Sequence, residues 1–139
     1  MKKLMKKDHK GFTLVEVIVV LVILAIMAAV LIPSLIGYID KSRENAIVSE
    51  TRSVVTAVQA LASEKYAKQN DTGVYVLDAT GSDTNIAYSD VEKLCEINNL
   101  STKITDCTIS GGKISSITYK SGDKQCVYSA GGYNVSDAS

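Results

Sequence analysis

The sequence contains few of the side chains on which most enzymes depend. It has no tryptophan, one histidine (His9) and one proline (Pro33). A catalytic triad or a His-based acid–base pair needs an imidazole, and the only one present lies in a lysine-rich N-terminal tail. No nucleophile motif, glycine-rich phosphate loop or pair of carboxylates at catalytic spacing stands out. The sequence therefore predicts a protein that is not an enzyme and needs no cofactor.

The formal net charge of zero hides an uneven distribution of charge. Residues 1–11 carry five lysines against Asp8, so the rest of the chain has an acidic excess. An acidic domain disfavours nucleic acid as a direct partner. Lys113, Lys120 and Lys124 lie near the predicted hairpins and could touch phosphates, but a few lysines on an acidic surface are typical of solvated positions.

Residues 12–39 form a long apolar run whose single formal charge is Glu16. About 20 apolar residues cross a bilayer as a helix, and lysine-rich flanks stay on the cytoplasmic side. A secretory signal peptide has a shorter apolar region of about 7–15 residues. A carboxylate inside such a segment is costly and indicates a functional pairing with a cation. A cut between Gly11 and Phe12 would create an α-amino group one helical turn from Glu16.

The helix is expected to continue beyond the apolar run. Pro33 lacks the N–H that would bond the carbonyl of Ala29, which predicts a kink but not an end. From residue 40 the pattern becomes amphipathic, with apolar residues at three- and four-residue spacing. We expect one helix of roughly 50 residues that ends near Lys68. The apolar positions of its second half are Ile47, Val54, Val58, Leu61 and Ala62.

The remaining residues indicate a small antiparallel sheet. Residues 103–110, 113–120 and 124–130 are rich in Thr, Ile, Val and Tyr, and glycine-containing turns separate them. A short strand at 74–77 and a brief helix opened by a Ser89 to Glu92 capping box are predicted before them. The fold class is α+β: a long N-terminal helix whose C-terminal half packs against a small antiparallel sheet.

Residues 11–33, GFTLVEVIVVLVILAIMAAVLIP, resemble the N-terminal motif of type IV prepilins, with their class III signal peptide, and of the related pseudopilins. The resemblance implies that a prepilin peptidase cleaves after Gly11 and that Phe12 is then N-methylated. It also implies that the subunit leaves the membrane through a pilus assembly platform and joins a helical filament of identical copies. In that filament Glu16 would neutralise the Phe12 amine of a neighbouring subunit.

The resemblance divides the chain into a cleaved leader (1–11), a transmembrane and filament-core segment (12–39) and a globular head (40–139). It implies a major pilin, first in the cytoplasmic membrane and then on the bacterial surface, that supports motility, adhesion or biofilm formation. Contact with nucleic acid would then come through the filament. One alternative is a pseudopilin of a type II secretion or competence system. A membrane-anchored binding domain that does not polymerise is another.

The three cysteines, Cys95, Cys107 and Cys126, depart from the two-cysteine pattern of many pilins. All three pairings are open. The predicted strand register puts Cys107 opposite Ser116 and Cys126 opposite Tyr119, on opposite faces of the sheet, which favours a bond from Cys95 to one of the others. A head with three reduced thiols is the alternative. A zinc site is disfavoured, because no histidine and no CxxC pair accompany the cysteines.

Overall fold

The computed structural model describes residues 11–69, 73–82, 85–129 and 131–139. The leader prediction for residues 1–10 lies outside these ranges. The elements, in chain order, are the helix α1 (Leu14–Gln69), the strands β1 (Val76–Asp78) and β2 (Asn85–Ala87), the helices α2 (Tyr88–Cys95) and α3 (Leu100–Lys103), and the strands β3 (Ile104–Ser110), β4 (Lys113–Ser121), β5 (Lys124–Ser129) and β6 (Gly132–Asp137).

Helix α1 contributes to two units, Met1–Asp40 and Lys41–Ser139. It passes through Pro33 without ending. Among the described residues it is the one helix that is long and apolar enough to cross a membrane, judged by length and composition. Every described residue from 11 to 40 is exposed.

The second unit is built around one hydrophobic core. Helix α1 lines one side of this core with a buried stripe that includes Ile47, Val54 and Val58. One face of the sheet is turned to the stripe, because side chains along a strand point alternately to opposite faces. The sheet side of the core includes Ile104, Ile109, Ile114, Ile117, Tyr119 and Cys126. These contacts confirm the predicted α+β fold.

Polar contacts fasten the sheet to the helix at two places. The Gln59 side chain donates to the Gly112 carbonyl (2.8 Å) and accepts from the Ile114 amide (3.0 Å). The Tyr119 hydroxyl donates to a Glu50 carboxylate oxygen at 2.8 Å, and the Tyr119 ring is fully buried. Burial, together with this contact with a carboxylate, raises the pKa of Tyr119 well above its usual value. These contacts fix the register of helix against sheet at both ends of β4.

The sheet has four antiparallel strands in the order β3-β4-β5-β6, and not the three that were predicted. The fourth strand, β6, pairs with β5 from Lys124↔Asp137 to Ser129↔Gly132. It was missed because it is mostly polar, and Tyr133 and Val135 are its only apolar residues. The predicted glycine turn between β3 and β4 is confirmed, since Gly111 and Gly112 both have positive φ.

The segment between helix and sheet differs most from the prediction. Strand β1 begins at Val76 and pairs in parallel with β2, a three-residue strand that was not predicted. The predicted Ser89 capping box is wrong: Ala87 is the N-cap residue of α2 and makes no side-chain cap hydrogen bond. Glu92 instead accepts the Leu100 amide at 2.8 Å, which ties α2 to α3. The unpredicted helix α3 buries Leu100 in the core.

Candidate functional site

The first turn of α1 contains a reciprocal capping box. The Thr13 backbone N–H donates to Glu16 Oε2 at 2.9 Å, and the Glu16 backbone N–H donates to the Thr13 hydroxyl at 3.3 Å. The Thr13 carbonyl accepts the first intrahelical bond from Val17, which makes Thr13 the N-cap residue and Glu16 the third residue of the helix. The one carboxylate of the apolar segment is thus turned back toward the start of the helix.

The capping box was missed from the sequence although its signature is present. Thr13-Leu14-Val15-Glu16 matches the pattern of Ser or Thr followed three residues later by Glu, directly before an apolar run. The cost of a carboxylate in a membrane segment points to a cation as its partner. The hydroxyl and the amide three residues earlier are nearer partners for Glu16.

Gly11 and Phe12 lie immediately before this turn and outside the helix. The Phe12 side chain is 88% exposed. A peptide bond outside a helix is free of the i→i−4 hydrogen-bond ladder, and the Gly11–Phe12 bond is of this kind. Phe12 is one residue before Thr13, whose amide already contacts Glu16.

The apolar side chains that follow form a continuous exposed surface on the isolated chain. Between Leu14 and Ile39 each large hydrophobic residue exposes at least 43% of its area, with the minimum at Ile39. Soluble monomers rarely expose contiguous apolar patches of more than a few hundred Å². This surface therefore needs a lipid or protein partner to cover it. Pro33 lies within it, where the helix lacks one backbone hydrogen bond.

The three cysteines of the head are free thiols. Cys126 is opposite Tyr119, as predicted, but Cys107 is opposite Ile117 and not Ser116. The irregularity at Thr108 and Ile109, where β4 contains one extra residue (Ser115), places Cys107 opposite the buried Ile117, so that both lie on the core face. Burial, with a smaller contribution from the Asp106 charge, raises the pKa of the Cys107 thiol to about 12.

Cys107 and Cys126 therefore share a face, contrary to the prediction, but β4 lies between their strands. Two strand spacings amount to about 9–10 Å, which exceeds the reach of a disulfide. Cys95 ends α2 and is half-buried at the edge of the core. A pairing that includes Cys95 remains a prediction.

Several polar groups of the head are engaged in structural contacts. Lys124 binds Asp137 at 2.8 Å and lies 4.0 Å from Glu44, and Lys120 donates to the Ser139 carbonyl. In the described part of the chain no group of three or more His, Cys, Asp or Glu residues is placed to hold a metal ion. The groove of about 560 Å³ beside α1 includes Ser53 and Thr56 in its lining, and both hydroxyls donate to carbonyls of their own helix.

Asp78 organises the loop between β1 and β2. Its carboxylate accepts from the amides of Thr80 and Gly81, each at 2.9 Å, from the Thr80 hydroxyl and from the Asn85 side chain. The Gly81 amide is the largest cause that lowers the pKa of Asp78, to about 2, against partial burial that raises it. Lys65 attaches the same loop to α1 through the carbonyls of Ser82 and Asn85, both at 2.6 Å.

Comparison with known proteins finds one family model that matches the N-terminal segment and several relatives that match part of the chain. The family described as "Prokaryotic N-terminal methylation motif" matches residues 6–32. The type IV major fimbrial protein FimA of Dichelobacter nodosus is 42% identical over 55 residues, which cover 40% of this chain and 35% of FimA. The type IV major alpha-pilin of Moraxella bovis is 32% identical over 81 residues, or 55% of this chain and 51% of that protein.

A relative from a secretion system matches over a similar length. The type II secretion system core protein G of Klebsiella michiganensis is 36% identical over 53 residues, which cover 38% of this chain and 37% of that protein. The chain thus spans about a third to a half of the length of these curated relatives. No solved structure matches the chain significantly.

Proposed function

We propose that the chain belongs to the type IV pilins and their pseudopilin relatives and that it is the major subunit of a type IV pilus, which the match of residues 6–32 to the N-terminal methylation motif and the fimbrial relatives support. The observation that carries the proposal is the exposed apolar half of α1. Its first turn, which follows Gly11-Phe12, contains the Glu16 carboxylate bonded to the Thr13 amide. A helix with an exposed apolar surface suits both environments of such a subunit, first the lipid bilayer and then the bundle of identical helices.

The first proposed step is removal of residues 1–11 by a prepilin peptidase, followed by N-methylation of Phe12. The position of Gly11 and Phe12 outside the helix supports cleavage at that bond. Cleavage removes the lysine-rich tail, which would otherwise hold the N-terminus on the cytoplasmic side of the membrane. It also creates the cationic amine that the apolar segment lacks.

The second step is assembly through residues 12–39. Burial of an unpaired carboxylate and an unpaired amine is costly for each group, and pairing Glu16 with the amine of a neighbouring Phe12 relieves both costs. A single charge pair also selects one axial register among apolar helices that could otherwise slide past one another. The missing backbone bond at Pro33 would let the helix adapt locally during packing.

The head would form the outer surface of the filament. Several of its hydroxyls, carboxylates and lysines make contacts within α1, within the Asp78 loop and between strands, which supports a structural and non-enzymatic role. Motility, adhesion and biofilm formation would then be properties of the assembled filament, as would any contact with DNA.

The second candidate function is that of a pseudopilin in a type II secretion or competence system. The match to core protein G, which is comparable in length and identity to the fimbrial matches, favours it. The two functions share the same N-terminal chemistry and differ in filament length. A pilus would extend beyond the cell surface, whereas a pseudopilus would remain within the envelope.

The test is mass spectrometry of the N-terminal peptide from filaments sheared off intact cells. A peptide that begins at Phe12 and carries one methyl group is the expected result. The chain processed in the same way but present only in the envelope fraction would favour the pseudopilin. An unprocessed chain in the membrane, with residues 1–11 still attached, would contradict both and leave an anchored binding domain.

A further inference from the structure

The Glu16 carboxylate is held by its own chain before any neighbour arrives. Its Oε2 atom accepts the Thr13 amide at 2.9 Å, and its own amide is held by the Thr13 hydroxyl at 3.3 Å. The first bond holds the Glu16 side chain over the first turn, the direction in which helical side chains already lean, and the second holds the backbone of that turn. Without them a glutamate on an exposed helix can adopt several rotamers.

The capping bond occupies one oxygen of the carboxylate. An ionised carboxylate has two oxygens and about four lone-pair directions, so Oε1 can accept another donor while Oε2 keeps the Thr13 amide. A protonated amine approaching the start of the helix would therefore find an oriented oxygen. The capping box and the intersubunit pair can coexist on the same carboxylate.

Orientation matters because the pair forms in an apolar environment. A charge pair offsets the loss of hydration only when its geometry is good and the remaining polar positions are satisfied. The Thr13 amide satisfies part of the carboxylate, and the Thr13 hydroxyl keeps the turn that presents it. Orientation before association also avoids the loss of side-chain freedom at the moment of docking.

We infer that Thr13 is a positioning residue for assembly, which holds the Glu16 carboxylate ready to receive the Phe12 amine of the next subunit. The inference rests on the proposed function, because it assigns a role in that polymerisation. It differs from a role in leader cleavage, since the hydroxyl acts on Glu16 and not on the Gly11–Phe12 bond. It predicts that the hydroxyl matters, whereas the size and β-branching of the side chain do not.

The experiment compares Thr13→Val, which keeps the shape and removes the hydroxyl, with Thr13→Ser, which keeps the hydroxyl. Sheared filaments are quantified per processed subunit, so that any change in cleavage is divided out. Thr13→Val should lower this ratio about fivefold, the effect expected from the loss of one Thr cap, and Thr13→Ser should restore it to within about twofold. Thr108→Val, the same change at an exposed position of β3, is the matched control and should change nothing.

A normal or raised ratio for Thr13→Val, or an equal loss in Thr13→Ser, would overturn the inference while the pilus proposal stands. Absence of the wild-type chain from the filament fraction would overturn both. A second measurement uses the unprocessed full chain in detergent micelles and follows hydrogen exchange of the Thr13 amide. Exchange should be slow in the wild type and faster in Glu16→Ala, and equally fast exchange in both would also overturn the inference.

Discussion

Helix α1 runs through two units of the chain that differ in what covers its apolar side chains. In the second unit Ile47, Val54 and Val58 are buried against the sheet. From Leu14 to Ile39 the large apolar residues are exposed on the isolated chain. The second unit therefore has a core of its own, whereas the apolar side chains of the first are left uncovered on the isolated chain. The comparison indicates that changes in the first unit should affect assembly and changes in the second should affect stability.

The largest effect is expected from Glu16→Ala. The variant should still be cleaved after Gly11, but filaments should be lost because the neighbouring amine would be buried without a partner. Quantification of sheared filaments and mass spectrometry of the membrane fraction check the two parts. Glu44→Ala, at an exposed position on the second half of the same helix, is the control and should leave filaments at the wild-type level. Normal filaments from Glu16→Ala would contradict the assembly role.

A core substitution in the head should lower stability instead of acting directly on assembly. Ile117 is fully buried, so Ile117→Ala should lower the free energy of unfolding of the head by about 3 kcal/mol. Ile23 is 51% exposed, and Ile23→Ala should leave that free energy unchanged. Urea unfolding of the detergent-solubilised chain, followed by tyrosine fluorescence, measures both. Equal destabilisation by the two variants would contradict the separation of roles.

A smaller effect is expected from pH and is confined to the head. The pKa of Asp78 is about 2 in the folded chain, below its ordinary value of 3.8, so its ionised form stabilises the folded state. This contribution is present above about pH 4 and is lost as the pH falls toward 2. Asp78→Asn should therefore flatten the decline in stability across that window in acid–urea titrations. A decline as steep as that of the wild type would exclude Asp78 as its source.

The smallest effect concerns the thiols. Because burial raises the pKa of Cys107 to about 12, its alkylation by iodoacetamide at pH 8 should be about tenfold or more slower in the folded chain than in the unfolded chain. Cys95, which is half-buried at the end of α2, should react first. Mass spectrometry of the labelled peptides gives the order. An unreduced chain that is lighter by two hydrogens would show a disulfide instead.

The elements that could be predicted from the sequence are those with a strong local pattern. Strands β3, β4 and β5 are rich in Thr, Ile, Val and Tyr between glycine-containing turns, and α1 changes from an apolar to an amphipathic pattern near residue 40. Strand β6 has little apolar character, and its place depends on pairing with β5, including the contact between the Tyr128 and Tyr133 rings. Such long-range pairing leaves no clear local signal.

The position of Cys107 shows why the face of the sheet on which a residue lies is harder to predict than the strand that contains it. Counting back from the Gly111-Gly112 turn puts Cys107 opposite Ser116, but the irregularity between Thr108 and Ile109 shifts the pairing by one residue. A one-residue shift changes which side chains are opposite and share a face. At the candidate site, by contrast, the Thr13 to Glu16 pattern is local and was available in the sequence. The two hydrogen bonds that join these residues are seen only in the structure.

The most direct test of the account is a cryo-electron microscopy reconstruction of the sheared filaments at a resolution that shows side chains. We expect the Glu16 carboxylate of one subunit within about 4 Å of the Phe12 nitrogen of a neighbouring subunit, with the Thr13 amide still bonded to Glu16. A filament in which Glu16 faces solvent, or in which the Phe12 nitrogen is paired with another group, would contradict the central claim.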